Sequence, residues 1–290
     1  MTNRKIFTKS YEKYMTNLIK NPVLGAICGD MIGVPYEWYC RRHLQINKDF
    51  KLWTEDSRFS DDSVMTIAVA EWLLNPPYNK ENLVNIMQKW GRRYPNAGYG
   101  GMFRKWLIES NPQPYNSFGN GSAMRVSPVG CVFNTLETTL TMAEESAIVS
   151  HNHPEGIKGA ECVAEFIFNS LHKGDIVDWL GGTASKYDSY NLSRSPEQIK
   201  KSSYRFDSTC QGSVPEAICC FLFSDSYEET IRNAVWLRGD ADTQAAIAGS
   251  IAAAYWGIPK DIASEGLERL PDDMYNVLEK FSEMYNLDLE

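Results

Sequence analysis

The run Gln244-Ala245-Ala246-Ile247-Ala248-Gly249-Ser250-Ile251-Ala252-Ala253-Ala254-Tyr255-Trp256 fits few places in a folded protein. It reads as a helix so rich in Ala and Gly that neighbouring backbones can approach it on almost every side, and a helix apolar all round belongs in an interior. Yet it opens on Gly239-Asp240-Ala241-Asp242-Thr243, which sets two carboxylates at the start of a buried element. A second stretch, Ser60-Asp61-Asp62-Ser63, does the same. It leads into the mostly apolar run from Val64 to Leu74, which stops before Pro76-Pro77, where a helix cannot continue.

Either stretch alone is ordinary capping, because Ser and Asp are favoured N-caps and acids in a first turn complement the helix dipole. If the two helix starts meet, four carboxylates share one region, and buried like charges raise one another's pKa or require compensation. A divalent cation supplies that compensation. A donor set made of oxygens suits magnesium or manganese rather than zinc or copper. Two other readings of Gly239–Thr243 fail: an Asp-x-Asp-x-Thr phosphatase motif needs Thr where Gln244 stands, and an EF-hand loop begun at Asp240 needs Glu where Ile251 stands.

At 290 residues the chain is read as one domain, 1–290, with a core of ordinary size; 43% of it is hydrophobic and 23% charged. A formal charge of -8 argues against general nucleic-acid binding. The stretch Met1 to Ser10 carries positive charge but no following apolar run of signal-peptide type, and no segment has the length of a membrane span. Seven cysteines without Cys-x-x-Cys spacing, several in apolar runs, read as reduced buried thiols of a cytoplasmic protein.

Helical periodicity dominates the rest. Residues 22–33 place Leu24, Ile27, Cys28, Met31 and Ile32 on one face while Gly25, Gly29 and Gly33 recur every four residues, a strip suited to close helix packing. Asp30 within it is expected to be a satisfied buried carboxylate, with a supporting role in the site as the second reading. After Gly33 the chain is expected to leave the helix through Val34 and Pro35, so that Glu37 is a loop carboxylate and a ligand candidate only through the company of the other acids. Leu83, Ile86, Met87 and Trp90 mark an amphipathic helix. Asn96 to Gly101 and Phe118 to Arg125 are Gly-rich turns whose amides can approach phosphate oxygens, and Arg125 pairs either with phosphate or in a structural salt bridge. His151 and His153, with too few partners for zinc, are expected to hydrogen-bond within their loop or touch a ligand. Residues 174–210 read as a partly irregular surface excursion, followed by helices near 212–223, 227–237, 242–256 and 272–286. Strand-like alternation is scarce, so the fold class is all-α.

The ordered set Gly29-Asp30 with Glu37, Ser60 to Ser63, Gly119-Asn120-Gly121 with Met124-Arg125, His151 to Pro154 and Gly239 to Thr243 resembles the ADP-ribosylglycohydrolase family, over residues 20 to 260. The resemblance implies a compact all-α fold with a central cleft that holds two magnesium ions, or manganese, and binds ADP-ribose. By position it implies that Ser60, Asp61 and Asp62 ligate one ion, that Glu37, Asp240 and Thr243 ligate the other, and that Asp242 bridges them. Asp61 or Asp62 would serve as general base, with Glu37 also in the catalytic set. Gly98, Tyr99, Gly100 and Gly101, with Phe118, Gly119, Asn120, Gly121, Ser122, Met124 and His151, would hold the diphosphate and adenosine. The implied activity is release of ADP-ribose from a modified protein side chain, arginine first, with serine-linked or small ADP-ribose conjugates and a catalytically inactive relative as alternatives. Three positions depart from the family pattern: Ser60 and Ser63 replace two Thr, and Arg238 stands where Gly is common, which would set a cation beside the acidic cluster.

Overall fold

The structure is a computed structural model that describes residues 18–202 and 204–289, so the reading of Met1 to Ser10 lies outside the described residues. The chain enters through a two-residue strand, β1 (Leu18–Ile19), and helix α1 (Pro22–Arg41), which Asn21 caps by accepting from the amides of Val23 and Leu24. There follow α2 (Asp61–Leu74), α3 (Lys80–Arg93), α4 (Gly101–Ile108), α5 (Gly121–Met124), α6 (Ser127–Val132), α7 (Leu136–Ile148) and α8 (Pro154–His172). The second half runs through α9 (Ile176–Lys186), α10 (Pro196–Lys201), α11 (Cys210–Leu222), α12 (Tyr227–Leu237) and α13 (Ala241–Tyr255). Strand β2 (Ile258–Pro259), which pairs antiparallel with β1, precedes α14 (Lys260–Glu268) and α15 (Asp272–Tyr285). The fold is all-α, as the scarcity of alternation implies.

Its axis is the seam between α1 and α13. A Cβ on Gly25 would lie 2.6 Å from the Gly249 carbonyl oxygen, one on Gly33 2.6 Å from that of Ala241, and one on Gly29 would strike that of Ala245. The glycine strip therefore lets two backbones touch along three turns. α13 is buried from Ala241 to Ala254, with α8, α11 and α12 closing on its other sides. Apolar packing from both helices joins one core containing Ile27, Met31, Ile32, Ile247 and Ile251.

α1 does not end near Gly33. It runs through Pro35 to Arg41, which places Glu37 on a helix rather than in a loop. Proline there removes the amide that would reach the Met31 carbonyl. Packing offsets the loss: Tyr36 packs against Phe50 with tilted rings whose centroids are 4.6 Å apart, its hydroxyl donates to the Lys51 carbonyl at 2.6 Å, and Cys40 is wholly buried. Residues 174–210 are also more regular than expected. Asp175 caps α9, a Ser195–Gln198 capping box opens α10, and Trp179, Tyr187, Tyr190, Leu192 and Ile199 are buried. All seven cysteines are buried and unpaired with one another. Among the described residues no helix is long and apolar enough to cross a membrane.

Candidate metal centre

Asp30, deep in α1, fastens the start of α2. Its Oδ2 accepts from the Ser60 amide at 2.9 Å, the Ser63 amide at 3.1 Å and the Ser63 hydroxyl, while Oδ1 accepts from the Ser60 hydroxyl at 2.6 Å. Two of the amides a helix leaves unpaired at its first turn are thereby satisfied by a carboxylate from another helix. The hydrogen-bonded state expected of Asp30 is what the fold contains. Ser60, expected among the metal ligands, does not line the cleft, and its hydroxyl is engaged by Asp30.

This anchoring turns the first residues of α2 toward the start of α13. Carboxylate oxygens of Asp30, Asp62 and Asp242 lie within 4.8 Å of one another, and so do those of Glu37, Asp240 and Asp242, so Asp242 belongs to both groups. The Thr243 hydroxyl donates to Asp62 Oδ2 at 3.2 Å, and Asn120 Nδ2 donates to Asp240 Oδ2 at 2.8 Å. Asp61 stands outside both groups. It is half-buried on the cleft wall, with its amide donating to the Ala97 carbonyl at 2.8 Å.

The electrostatics are those of crowded anions. Burial raises Asp62 and Asp242 well above the usual carboxylate range, with neighbouring aspartates adding to it. Burial, then the charge of Asp30, pushes Asp61 up to about 8. Asp240 is raised by burial to about 6, held down by the Asn120 hydrogen bond and Arg41 and pushed up by Glu37. Asp62 Oδ1 and Asp242 Oδ1 are buried, Asp62 being only 2% exposed, and have no hydrogen-bond partner among the described residues. Orphaned anionic oxygens cost free energy unless a cation or donor meets them. An all-oxygen set with two orphaned members fits hard divalent cations.

Above this floor is a cleft of roughly 370 Å³. Gly98, Gly100 and Gly101 form one wall, and Gly98 adopts φ +112°, a conformation only glycine takes freely. Gly119, Asn120, Gly121 and Met124 form the other, and Tyr115, Arg125 and His151 also face the space. Three residues expected to contact ligand do not line it. Tyr99 is buried, Ser122 donates inward to the Gly156 carbonyl at 2.7 Å, and Phe118 is exposed with its ring against His153. Asn120 lines the cleft while supporting a carboxylate, and its amide donates to the Ser208 carbonyl at 2.9 Å.

Arg125, 1% exposed, makes no salt bridge among the described residues. It donates to the Ser146 carbonyl and the Ser150 hydroxyl, and its Nε is unpartnered. Burial lowers it to about 10, so it stays cationic at neutral pH. His151 is held well below its usual pKa by burial and by Arg125, and is neutral; Ser150 Oγ lies 2.8 Å from its Nδ1. His153 accepts from the Glu155 amide at the start of α8, the loop bonding expected of that pair.

Arg238 does not sit on the acidic cluster. It is a left-handed residue, φ +66°, at the end of α12, and its guanidinium donates to the carbonyls of His43 and Leu44. The cation that stands beside the acids on the cleft wall is Arg41, one turn beyond Glu37. Its Nε donates to Glu37 Oε1 at 2.8 Å, and its guanidinium carbon stands 4.1 Å from the centre of the Phe206 ring. An unbroken helix through Pro35 is the signal that would have found it. Ser208, also on the wall, reaches the site through the Gly119–Thr209 bridge, 90 residues apart in sequence, and carries no local signal.

A model of the ADP-ribosylglycohydrolase family matches residues 15–289. The chain is 26% identical to the ADP-ribosylhydrolase ARH3 of Danio rerio, over 89% of each protein. It is 23% identical to the ADP-ribosylarginine hydrolase Tri1 of Pseudomonas putida (strain GB-1), over 82% of this chain and 70% of the relative. A solved structure described as an ADP-ribosylglycohydrolase-related protein complex superposes with a TM-score of 0.63 at 20% identity, covering 94% of this chain and 99% of that one, which shows a shared fold.

Proposed function

The chain belongs to the ADP-ribosylglycohydrolase family, and from that premise we propose that it hydrolyses the bond between the terminal ribose of an ADP-ribose group and a protein side chain, with divalent cations on the cleft floor. The observation that carries this reading is Asp242 standing in two carboxylate groups at once, with its Oδ1 and that of Asp62 buried and unpartnered. Two cations are proposed, magnesium with manganese as a substitute. Glu37, Asp240, Asp242 and Thr243 would hold one; Asp62 and Asp242, backed by Asp30, the other. Bound there, divalent cations supply charge stabilisation and fix and activate a water.

The rest falls to the chain's own groups. Asp61 is the proposed general base, because it faces the cleft while standing outside both groups; Asp62 is second, since its Oδ2 is already engaged by Thr243. As the water oxygen bonds to the anomeric carbon and the bond to the acceptor breaks, the base takes one water proton and passes it to the departing acceptor atom, while the other stays on the new ribose hydroxyl. The amides of the two Gly-rich walls are proposed to hold the diphosphate, with the buried charge of Arg125 behind them.

Arginine-linked ADP-ribose is the first acceptor to test, in keeping with the name of the Tri1 relative. A hydroxyl-linked acceptor such as serine is a second reading, favoured by Arg41, whose charge at the cleft wall opposes a second guanidinium. The experiment is ADP-ribose release from ADP-ribosylarginine protein and from ADP-ribosylserine peptide, with magnesium and with chelator, beside Asp242→Asn. Magnesium-dependent release lost in the variant supports the hydrolase and identifies the acceptor. No release from either by a chain that binds the cation would turn the reading to a small ADP-ribose conjugate as substrate or to a binding role.

A further inference from the structure

A metal-poor acidic centre needs a counter-charge, and the fold carries one. Arg41 follows Glu37 by one helical turn and sends both Nε and a terminal nitrogen to the same oxygen, Glu37 Oε1, at 2.8 and 2.5 Å. No other hydrogen bond to the Glu37 carboxylate is found among the described residues, and that carboxylate stands in the group with Asp240 and Asp242. The guanidinium stacks on Phe206, so it is fixed between α1 and the segment that precedes α11 rather than free in solvent. Its side chain is nonetheless 56% exposed, so it can turn outward without opening the core.

We propose that Arg41 is a built-in competitor for the cation that Glu37, Asp240 and Asp242 would hold: it occupies Glu37 and offsets the three carboxylates when the ion is absent, and it must release Glu37 and bear the ion's repulsion when the ion enters. The proposal rests on the metal reading above. Its consequence is an asymmetric centre. The position beside Asp62 and Asp242 fills first, and the position beside Glu37 is weaker because a guanidinium already serves it. Occupancy of the second position then follows the free cation concentration, and the complete centre forms only above a threshold set by Arg41.

The test is titration of the chelator-stripped full chain with Mn2+ or Mg2+ by calorimetry, with thermal melting in chelator and in saturating Mg2+, for wild type, Arg41→Gln and Arg41→Lys. A double and a single charge a few ångströms apart in largely solvated surroundings change affinity by roughly tenfold. Arg41→Gln is therefore expected to tighten the weaker step roughly tenfold, to melt lower than wild type in chelator, and to melt at or above wild type in Mg2+. Arg41→Lys, which keeps the charge, is expected to stay near wild type. Unchanged or weakened binding of the second ion in Arg41→Gln would overturn the proposal, because Arg41 would then be holding Glu37 in place as a ligand. A wild-type chain that binds no divalent cation would overturn the metal reading itself and this proposal with it.

Discussion

Gly33→Ala tests whether the helix seam and the acidic floor are one mechanical unit. The added methyl would lie 2.5 Å from Asp242 Cα, 2.6 Å from the Ala241 oxygen and 2.7 Å from the Asp242 nitrogen, all backbone atoms that no rotamer change can move. Ordinary contact begins near 3.4 Å, so the helices must part by about an ångström at this turn, while Gly25 and Gly29 hold them closed further along. Overpacking of this kind costs about 3 kcal/mol, the upper end of the usual range. For a chain of this length that is a fall in melting temperature of about 6 °C. The same displacement moves Asp242 relative to Asp62 and Glu37, so divalent-cation affinity is expected to fall at least tenfold. Gly181→Ala is the control. Gly181 lies on the exposed face of α9 with open space where its Cβ would be, and this change should stabilise by about 0.5–1 kcal/mol. Melting in chelator and calorimetric titration with Mn2+ read both effects. A Gly33→Ala protein that melts within 1 °C of wild type, roughly 0.5 kcal/mol, and binds the ion as wild type does would refute the reasoning.

Asp242→Asn is expected to abolish binding of both cations, while Asp240→Asn weakens only the position beside Glu37; equal losses in the two variants by calorimetry would contradict the shared role of Asp242. Asp61→Asn should keep cation binding yet lower turnover by roughly a hundredfold or more, so retained turnover would remove Asp61 as the base. In chelator the native chain holds protons on Asp240, raised to about 6, and Asp61, raised to about 8, that the unfolded chain sheds near 3.8. The unfolded state therefore binds fewer protons over this interval, so stability is greatest at the acid end and falls as pH rises through 6 to 8. Melting in chelator should be higher at pH 5.5 than at pH 8, and Mg2+ should raise the melting temperature most at pH 8; no pH trend in chelator would count against the crowded-carboxylate account.

The elements legible in the sequence were those fixed by local composition and period. The Ala/Gly run of α13, the apolar run of α2 and the stripe of α3 carry their own burial pattern, and the acids at the starts of α2 and α13 were visible because carboxylates are out of place there. What the sequence concealed was decided at long range. Whether α1 stops at Pro35 depends on Tyr36 finding Phe50 and the Lys51 carbonyl, and the position of Arg41 depends on that outcome. Asp30 could be read as buried and bonded, but not as the residue that anchors α2, since its partners lie 30 and 33 positions away. The resemblance assigns whole loops to the ligand, Tyr99 and Ser122 included, but on a helical turn such as α5 successive side chains point roughly 100° apart, so Ser122 turns inward to Gly156 while Gly121 and Met124 line the cleft. The helices between 174 and 210 did have a local signal, the Ser195-Pro196-Glu197-Gln198 capping box, obscured by the polar residues around it.

Two buried helix starts that converge to hold a pair of divalent cations should show those ions in place. The most direct measurement is anomalous diffraction from crystals of the full chain grown with Mn2+. Two peaks are expected on the cleft floor, one against Glu37, Asp240 and Asp242 and one against Asp62 and Asp242; no peak there, or manganese bound only at other sites, would contradict a metal centre built on these carboxylates.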